Sequence, residues 1–190
     1  MATGILGGTF DPPHRGHLAL ARAALASGNV DRVIFIPAHA PPHKQRPDIS
    51  PAPVRLAMTR LLADENPRLS VDPLELERGG PSFTIDTVRT LRGRNSSETF
   101  RLLVGLDMAV TLHEWREAEE LLRLAPPLVV FRPGAEWPPD LSMERLEMTE
   151  MDVSSTAIRN AVRSGDNAFL ERWLTPLVLA FVRERGLYIR

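Results

Sequence analysis

The sequence GGTFDPPHRGH, residues 7–17, joins a short apolar run at Thr3 to Leu6 to a segment rich in Leu and Ala at His17 to Ala26. Residues 33–36, VIFI, form a second apolar run. Continuous apolar runs are typical of parallel strands buried on both faces, and Leu and Ala favour helices. The first 36 residues therefore predict a strand, helix, strand unit whose first connection is a glycine-rich turn.

The same alternation continues along the chain. Strands separated by helices indicate an α/β protein with a parallel sheet. We therefore predict a Rossmann-like, doubly wound and mostly parallel sheet of five or more strands. The further predicted strands are Leu69 to Val71, Phe100 to Val104 and Leu128 to Phe131, and the further predicted helices are Val54 to Ala63 and Thr84 to Leu91.

The C-terminal part, from about residue 154, changes to a helical pattern. A helix is predicted from Ser154-Ser155 to about Arg163, and a second one begins at Thr175-Pro176. We expect these helices to form an appendage on the sheet, within a single domain that spans residues 1–190. Two proline-rich stretches, residues 37–53 and 133–139, lack an apolar period and are predicted to be loops that cover the substrate.

The composition narrows the class of partner. The 190 residues carry a formal net charge of -1, which gives no general positive field for nucleic acid and favours a small-molecule partner. The chain contains no cysteine, which excludes disulfides and thiolate metal sites and is compatible with a reducing cytoplasm. No apolar run approaches the roughly 18 residues of a membrane span. The expectation is a cytoplasmic protein that binds neither nucleic acid nor membrane.

The glycine-rich turn has the features of a phosphate site. The glycine pair at residues 7–8 allows backbone N–H groups to approach an anion, Thr9 offers a hydroxyl, and the following helix adds its dipole. The spacing is neither that of a P-loop nor that of a dinucleotide-binding fingerprint. His14 and His17 lie on one face of the helix start, with Gly16 between them to leave space for a ligand. Taken alone, the two histidines could also be helix caps or surface residues.

The motif in residues 7–17 resembles the signature of the HIGH-motif nucleotidyltransferase superfamily, and the rest of the chain resembles the bacterial nicotinate-nucleotide adenylyltransferases. The resemblance runs from residue 4 nearly to the C-terminus. Several motifs in a fixed order are more specific than one motif. The further matching stretches are IPAHAPPHK at 36–44, GGPSFTIDT at 79–87, VGLD at 104–107, Trp115, RPG at 132–134 and VSSTAIR at 153–159.

The resemblance implies that ATP lies over the carboxyl ends of the strands. It implies catalytic roles for His14, His17 and Arg159, which would stabilise charge on the triphosphate. For the helix start at residues 154–159, the alternative is an ordinary N-cap with a solvent-facing arginine. Together with the three catalytic residues, the implied ATP-binding residues are Gly7, Gly8, Thr9, Phe10, Gly105, Asp107, Ser154, Ser155 and Thr156.

The resemblance also implies where the acceptor nucleotide binds. The pyridine ring would be held by Ser82, Phe83 and Thr84 and by Trp115, with Thr84 near the ring carboxylate. Lys44 would reach a phosphate if its loop folds over the site. Each of these assignments has an alternative, because Trp115 could be a core aromatic, Thr84 a helix cap and Lys44 a solvated surface residue.

The activity implied by the resemblance is adenylyl transfer in NAD biosynthesis. The phosphate of nicotinate mononucleotide would attack the α-phosphorus of ATP, which gives nicotinate adenine dinucleotide and pyrophosphate. A phosphate monoester is already ionised at pH 7 and needs no strong base, so alignment and charge stabilisation suffice. Mg²⁺ would be carried in with ATP, because the sequence has no dense carboxylate cluster that would hold the ion alone.

Several alternatives stay open. Nicotinamide mononucleotide could replace the nicotinate form, because the sequence shows no dedicated arginine for a ring carboxylate. A non-catalytic nucleotide-binding module of the same fold is another alternative. Phosphopantetheine as acceptor and a cytidylyl donor are disfavoured by the later motifs, and an aminoacyl-tRNA synthetase by the size and charge of the chain. Val54-Arg55 stands where His-Arg is frequent in the family, so the role of that segment is open, as is homo-oligomer formation.

Overall fold

Six parallel strands form one sheet in the order β3-β2-β1-β4-β5-β6. The computed structural model describes residues 1–40, 49–131, 137–138, 143–148 and 151–189. The predicted Rossmann-like architecture is confirmed. The sequence predicts a mostly parallel sheet, and all six strands of this sheet are parallel. The strands are β1 (Ala2–Gly8), β2 (Arg32–Pro37), β3 (Leu69–Val71), β4 (Thr99–Gly105), β5 (Pro127–Phe131) and β6 (Glu144–Glu147).

Helices connect the strands and cover both faces of the sheet. None of the helices in the described ranges is long and apolar enough to span a membrane. The helices are α1 (Arg15–Ala26), α2 (Ala52–Ala63), α3 (Leu74–Arg78), α4 (Thr84–Arg94), α5 (Leu106–Ala109), α6 (Ala118–Leu124), α7 (Ser155–Ser164), α8 (Asn167–Trp173) and α9 (Pro176–Glu184), with a 3₁₀ turn at Leu112–Glu114.

The core lies in two layers because successive strand side chains point to opposite faces. Ile5 and Ile34 pack into the layer that α4 and α6 cover. Leu6 and Phe35 pack into the other layer, against α1, α2 and the C-terminal helices α7 to α9. Burial on both faces explains why the central strands read as continuous apolar runs.

The C-terminal helices begin and end where their capping residues predict. The Ser154 hydroxyl accepts a hydrogen bond from the Ala157 backbone N–H at 3.1 Å, and α7 ends at Gly165, whose φ of 72° is left-handed. The short helix α8, which lies between α7 and α9 in the chain, is not predicted by the sequence. The organisation of residues 1–190 as one domain stays a prediction.

The strand β6 and the helices α3, α5, α6 and α8 are absent from the sequence prediction. In β6, only Leu146 of the four residues is buried, so no apolar run marks the strand. The helices α3 and α5 have five and four residues, too few to show a helical period. Most of the predicted loop 133–139 and residues 41–48 of the loop 37–53 lie outside the described residues.

A buried carboxylate ties the amino ends of the central strands together. Glu98, which is 5% exposed, accepts a hydrogen bond from the Thr3 hydroxyl and two from Arg32 Nη2, at 2.7 and 2.8 Å. Burial alone would raise the pKa of Glu98, but the hydrogen bonds from Thr3 and Arg32 hold it below its usual value. The ionised form is therefore favoured by folding.

We expect Glu98→Gln to lower the free energy of unfolding by about 1–3 kcal/mol at pH 7, because it removes a charged acceptor from the buried Thr3 hydroxyl and from the partly exposed Arg32. Since folding depresses the pKa of Glu98, the stability it contributes is complete above the unfolded pKa and lost as pH falls through the folded pKa. Urea unfolding of the wild type and of Glu98→Gln should therefore be measured at pH 7 and in acid. The difference between their free energies of unfolding should be smaller in acid. A difference that stays constant with pH would contradict this account.

Candidate active site

A cavity of about 540 Å³ opens at the carboxyl ends of β1 and β4. These two strands flank the point where the strand order reverses, which is where open α/β sheets bind ligands. The volume is that of a small-molecule site. The cavity is bordered by Gly7, Gly8, Thr9 and Phe10 of the first loop, by Gly105 after β4, and by His17 and Ser155 at the starts of two helices.

The two glycines of the first loop face different surroundings. A Cβ atom added at Gly7 would have no heavy atom within 4 Å, so this residue faces open cavity. A Cβ atom added at Gly8 would lie 2.9 Å from Cε1 and Cζ of the Phe10 ring. Gly7 therefore keeps space for a ligand, whereas Gly8 makes room for a buried side chain.

Phe10 supports the loop from the core side. The residue is 1% exposed, and its ring packs edge-on against Phe35 and His17, with centroid distances of 5.7 and 5.0 Å. Its φ of 52° is left-handed, a conformation that costs energy for a non-glycine residue and is maintained by the packing around it. The predicted ATP-binding residue Phe10 thus borders the cavity while its side chain belongs to the core.

The imidazoles of His14 and His17 lie together at the start of α1, with ring centroids 3.8 Å apart. The His14 backbone N–H donates to His17 Nδ1 at 3.1 Å, so a neutral His17 ring carries its proton on Nε2. His17 borders the cavity, whereas His14 is 7% exposed and is not among the described residues that line it. Binding of phosphate by both rings stays a prediction.

Burial determines the charge of the His14 ring. Burial, followed by the charge of His17, lowers the pKa of His14 well below its ordinary value of 6.5. His14 is therefore neutral at pH 7. As a neutral ring it can donate or accept a hydrogen bond but adds no positive charge to the site.

Gly16 leaves space for protein rather than for a ligand, which corrects the expectation from the sequence. A Cβ atom at this position would lie 3.0 Å from His14 Nδ1 and 3.0 Å from Val153 Cγ1. Both distances are tighter than ordinary van der Waals contact. The glycine therefore lets both the His14 ring and Val153, which precedes the N-cap of α7, lie close to the start of α1.

The start of α7 contacts the first loop. The Ser155 hydroxyl donates to the Pro12 carbonyl at 2.9 Å. Arg159 is 5% exposed and donates to the Asp11 carbonyl at 2.8 Å and to the Thr156 hydroxyl at 3.0 Å. The solvent-facing interpretation of Arg159 is therefore wrong, while Ser154 does act as the N-cap. Phosphate binding by Ser154, Ser155, Thr156 and Arg159 stays a prediction.

Gly105 ends β4 at the cavity, and Asp107 follows it in the short helix α5. Gly105 is the N-cap residue of α5 and borders the cavity. A Cβ atom on Gly105 would lie 2.6 Å from Asp107 Oδ1, so the exposed Asp107 side chain folds back over the glycine. The contact of these two residues with adenosine stays a prediction.

The residues predicted to hold the acceptor ring border the same cavity. They are Ser82, Phe83, Thr84 and Trp115. Trp115 is only partly buried and packs against the core at the cavity wall, so it is both a packing residue and a lining residue. Phe83, not Thr84, occupies the N-cap position of α4, so the interpretation of Thr84 as a cap is wrong. Lys44 lies outside the described residues.

The acceptor segment is tied to the loop that follows β2. The His39 backbone N–H donates to the Ser82 hydroxyl at 2.9 Å, and the Ser82 N–H donates to the Ala40 carbonyl at 3.0 Å. His39 Nδ1 lies 3.1 Å from the Gly80 carbonyl oxygen. These contacts hold two edges of the cavity together.

Glu75 is a cavity residue that the sequence analysis did not identify. It is 6% exposed, and the Thr87 hydroxyl donates to its Oε1 at 2.5 Å. Burial raises the pKa of Glu75, although hydrogen bonds from Thr87 and Ser82 act in the opposite direction. Its stretch, PLELER, alternates charged and apolar residues like a solvated surface, so periodicity gives no sign of burial.

A polar cluster of Arg55, Asp11 and Tyr188 behind the first loop is also not predicted by the sequence. Arg55 is 2% exposed, and its Nη1 donates to the carbonyls of Thr9 and Ala38, both at 2.8 Å. Tyr188 donates its hydroxyl proton to Asp11 Oδ1 at 2.7 Å, and Asp11 is 1% exposed. The open question about the Val54-Arg55 segment thus has a structural answer, since Arg55 braces the loop from beneath.

Carboxylate and imidazole groups do not cluster into a metal site in the described part of the chain. Within those ranges, no group of three or more His, Cys, Asp or Glu side chains is arranged to hold an ion. Resident metal ligands can therefore not be named from these residues.

Comparison with known proteins supports the resemblance seen in the motifs. Residues 5–161 match the cytidylyltransferase-like family. The chain is 37% identical over 185 residues to the nicotinate-nucleotide adenylyltransferase of Bacillus subtilis (strain 168), an alignment that covers 97% of each chain. It is 38% identical over 186 residues to a Geobacillus kaustophilus protein named probable nicotinate-nucleotide adenylyltransferase, covering 97% of this chain and 85% of that one.

Solved structures share the fold. The Plasmodium falciparum nicotinic acid mononucleotide adenylyltransferase complexed with NaAD matches with a TM-score of 0.80 and 15% identity, covering 98% of this chain and 97% of that one. The same enzyme complexed with APC matches with a TM-score of 0.79, again at 15% identity, covering 98% and 96%. At this level of identity the likeness carries the fold alone.

Proposed function

Because the chain belongs to the cytidylyltransferase-like family, and within it to the nicotinate-nucleotide adenylyltransferases, we propose that it transfers an adenylyl group from ATP to nicotinate mononucleotide in NAD biosynthesis. The family and enzyme class predicted from the sequence are confirmed by these relatives. The observation that carries the proposal is that one cavity is bordered by both the glycine-rich loop and the residues predicted to hold the acceptor ring.

The reaction needs alignment more than acid–base chemistry. An oxygen of the acceptor phosphate forms a bond to the α-phosphorus of ATP, and the bond between the α-phosphorus and the α,β-bridging oxygen breaks. Pyrophosphate leaves with the negative charge. Because the attacking phosphate is already ionised, no general base is required, and catalysis rests on positioning and on stabilising the leaving charge.

Loop donors at the cavity wall supply that stabilisation in the proposal. Backbone N–H groups at residues 7–9 and Nε2–H of His17 donate to phosphate oxygens, with the α1 dipole behind them. In this proposal His14 and Arg159 also stabilise charge on the triphosphate. Arg159 donates to the Asp11 carbonyl as well, which ties the first loop to α7, and Ser155 borders the cavity. Lys44 contributes a further phosphate contact in this proposal.

Mg²⁺ enters with ATP in the same proposal. The ion would be held by the ATP phosphates and would help to neutralise charge on the leaving group. The proposed compartment is the cytoplasm. The lack of cysteine in the sequence supports a reducing environment.

The test is to incubate the protein with ATP, Mg²⁺ and each acceptor, and to measure pyrophosphate together with the mass of the product. Pyrophosphate release and nicotinate adenine dinucleotide are expected with nicotinate mononucleotide, and neither product with phosphopantetheine. Tight ATP binding without pyrophosphate release from any acceptor would contradict the proposal and indicate a non-catalytic module.

The two loop glycines give a matched pair of variants. Neither has a left-handed φ, so alanine is compatible with both backbones. We expect Gly7→Ala to raise the KM for ATP roughly tenfold without changing the melting temperature, because its methyl group enters open cavity. Gly8→Ala should instead lower the free energy of unfolding by about 1–3 kcal/mol, because the Phe10 ring must move. Equal effects of both variants on stability would contradict this distinction.

A further inference from the structure

Arg116 borders the cavity at its acceptor end. The residue lies between the 3₁₀ turn and α6, directly after Trp115. Its guanidinium carbon is 4.8 Å from the centroid of the Phe83 ring, a cation–π contact, and its side chain is 52% exposed. A cation is thus held on an aromatic residue of the predicted ring site.

The charge of Arg116 is only loosely paired with nearby carboxylates. Its Nη1 is 3.9 Å from Asp86 Oδ2, and its Nε is 3.5 Å from Glu117 Oε1. Glu117 is held more closely by Arg89, whose Nη2 is 2.5 Å from Oε2. Loose, half-exposed contacts of this kind are easily exchanged for a better-placed anion.

The other charged side chains that line this end of the cavity are acidic in the described part of the chain. The cavity is bordered there by Glu75 and Glu114, and Arg116 is the one arginine or lysine among the described lining residues. Glu75 is turned toward the Thr87 hydroxyl, and Glu114 is 68% exposed. Arg78 lies near Glu75, with its Nη2 3.5 Å from the Thr87 hydroxyl, but it is not among the residues that line the cavity. Without Arg116, the described lining would therefore offer an anionic ring substituent carboxylates and no arginine or lysine.

Resting on the proposed function, we propose that Arg116 is the specificity-determining residue that selects a pyridine ring bearing a carboxylate over one bearing a carboxamide. A guanidinium attracts a carboxylate through charge-assisted hydrogen bonds, whereas a neutral carboxamide gains little from the same group. The stack on Phe83 keeps the cation beside the ring site, so the selection acts on the acceptor and not on ATP.

The test compares kcat/KM for nicotinate and nicotinamide mononucleotide in the wild type and in Arg116→Gln. The preference for the nicotinate form should fall at least tenfold, with the nicotinamide value changed less than twofold and the KM for ATP unchanged. Arg123→Gln is the matched control, because Arg123 is 73% exposed on α6, 4.0 Å from Glu120 and outside the cavity lining. It removes the same charge and should leave the preference as in the wild type.

The outcomes separate the two proposals. If the wild type releases no pyrophosphate with either acceptor, the proposed function fails. If the wild type is active but Arg116→Gln keeps its preference, or loses both acceptors equally, the role of Arg116 as the selector is overturned. Should this variant not fold, added salt on the wild type gives a second measurement, since screening must reduce the preference if a charge pair sets it.

Discussion

Replacing His17 by alanine is expected to lower kcat by about 100- to 1000-fold, the usual loss when one donor to developing charge is removed. His17 is the imidazole that borders the cavity, and its Nδ1 is occupied by the His14 backbone N–H. The proton of the neutral ring is therefore on Nε2. Because charge grows on the pyrophosphate only as its bond breaks, the loss should be in kcat more than in the KM for ATP.

The measurement is pyrophosphate release at saturating ATP and acceptor. His113→Ala serves as the control, since that imidazole is 74% exposed and its loss removes no cavity donor. Melting temperatures of both variants establish that the proteins are folded. Full turnover of His17→Ala under these conditions would show that the ring does not stabilise the leaving group.

The strands that could be predicted from the sequence are those whose own residues form an apolar run. The strands β1, β2 and β4 are buried on both faces, so their apolar runs locate them to within two residues of the observed bounds. Among the described strands, β6 pairs with β5 alone, and one of its residues is buried. Its position therefore depends on a neighbour that the local sequence does not show.

Some residues of the candidate site could likewise be identified from the local sequence, whereas others could not. The loop at residues 7–17 could be identified from glycine and histidine spacing, because local backbone geometry determines what such a turn binds. Phe83 and Trp115 were identified only through the family resemblance, and the structure brings them to the same cavity. Glu75 and Arg116 could not be identified, because a charged residue in a polar stretch has no signal until the fold brings it beside the site.

Arg55 is a further charged residue whose role could not be identified from the sequence. Its replacement is expected to have the second large effect. Its guanidinium donates to the carbonyls of Ser50, Thr9 and Ala38, which come from three separate turns of the backbone. On a helical wheel of α2, Arg55 falls on the same face as Met58 and Leu62. An arginine is nevertheless ordinarily assigned to the surface, so its burial is not evident from the residue type. Burial lowers the pKa of Arg55, partly offset by the charge of Asp11, yet a guanidinium stays protonated at pH 7.

We expect Arg55→Ala to lower the free energy of unfolding by about 3 kcal/mol or more, measured by urea denaturation. The buried carbonyl of Ala38 and the partly buried carbonyls of Thr9 and Ser50 lose their donors. Each unsatisfied group costs about 1–3 kcal/mol, partly relieved by water. Arg60→Ala is the control, because Arg60 is an exposed residue on the same helix and should change stability by less than about 0.5 kcal/mol.

Arg55→Lys separates charge from geometry. A lysine keeps the positive charge but lacks the planar fork that reaches several acceptors at once, so its stability should fall between those of the wild type and Arg55→Ala. The KM for ATP should follow the same order, since the Thr9 carbonyl that Arg55 holds lies in the loop that borders the cavity. If Arg55→Lys matched the wild type in both measurements, charge alone would suffice, and the three-carbonyl brace would not be the reason that this arginine is buried.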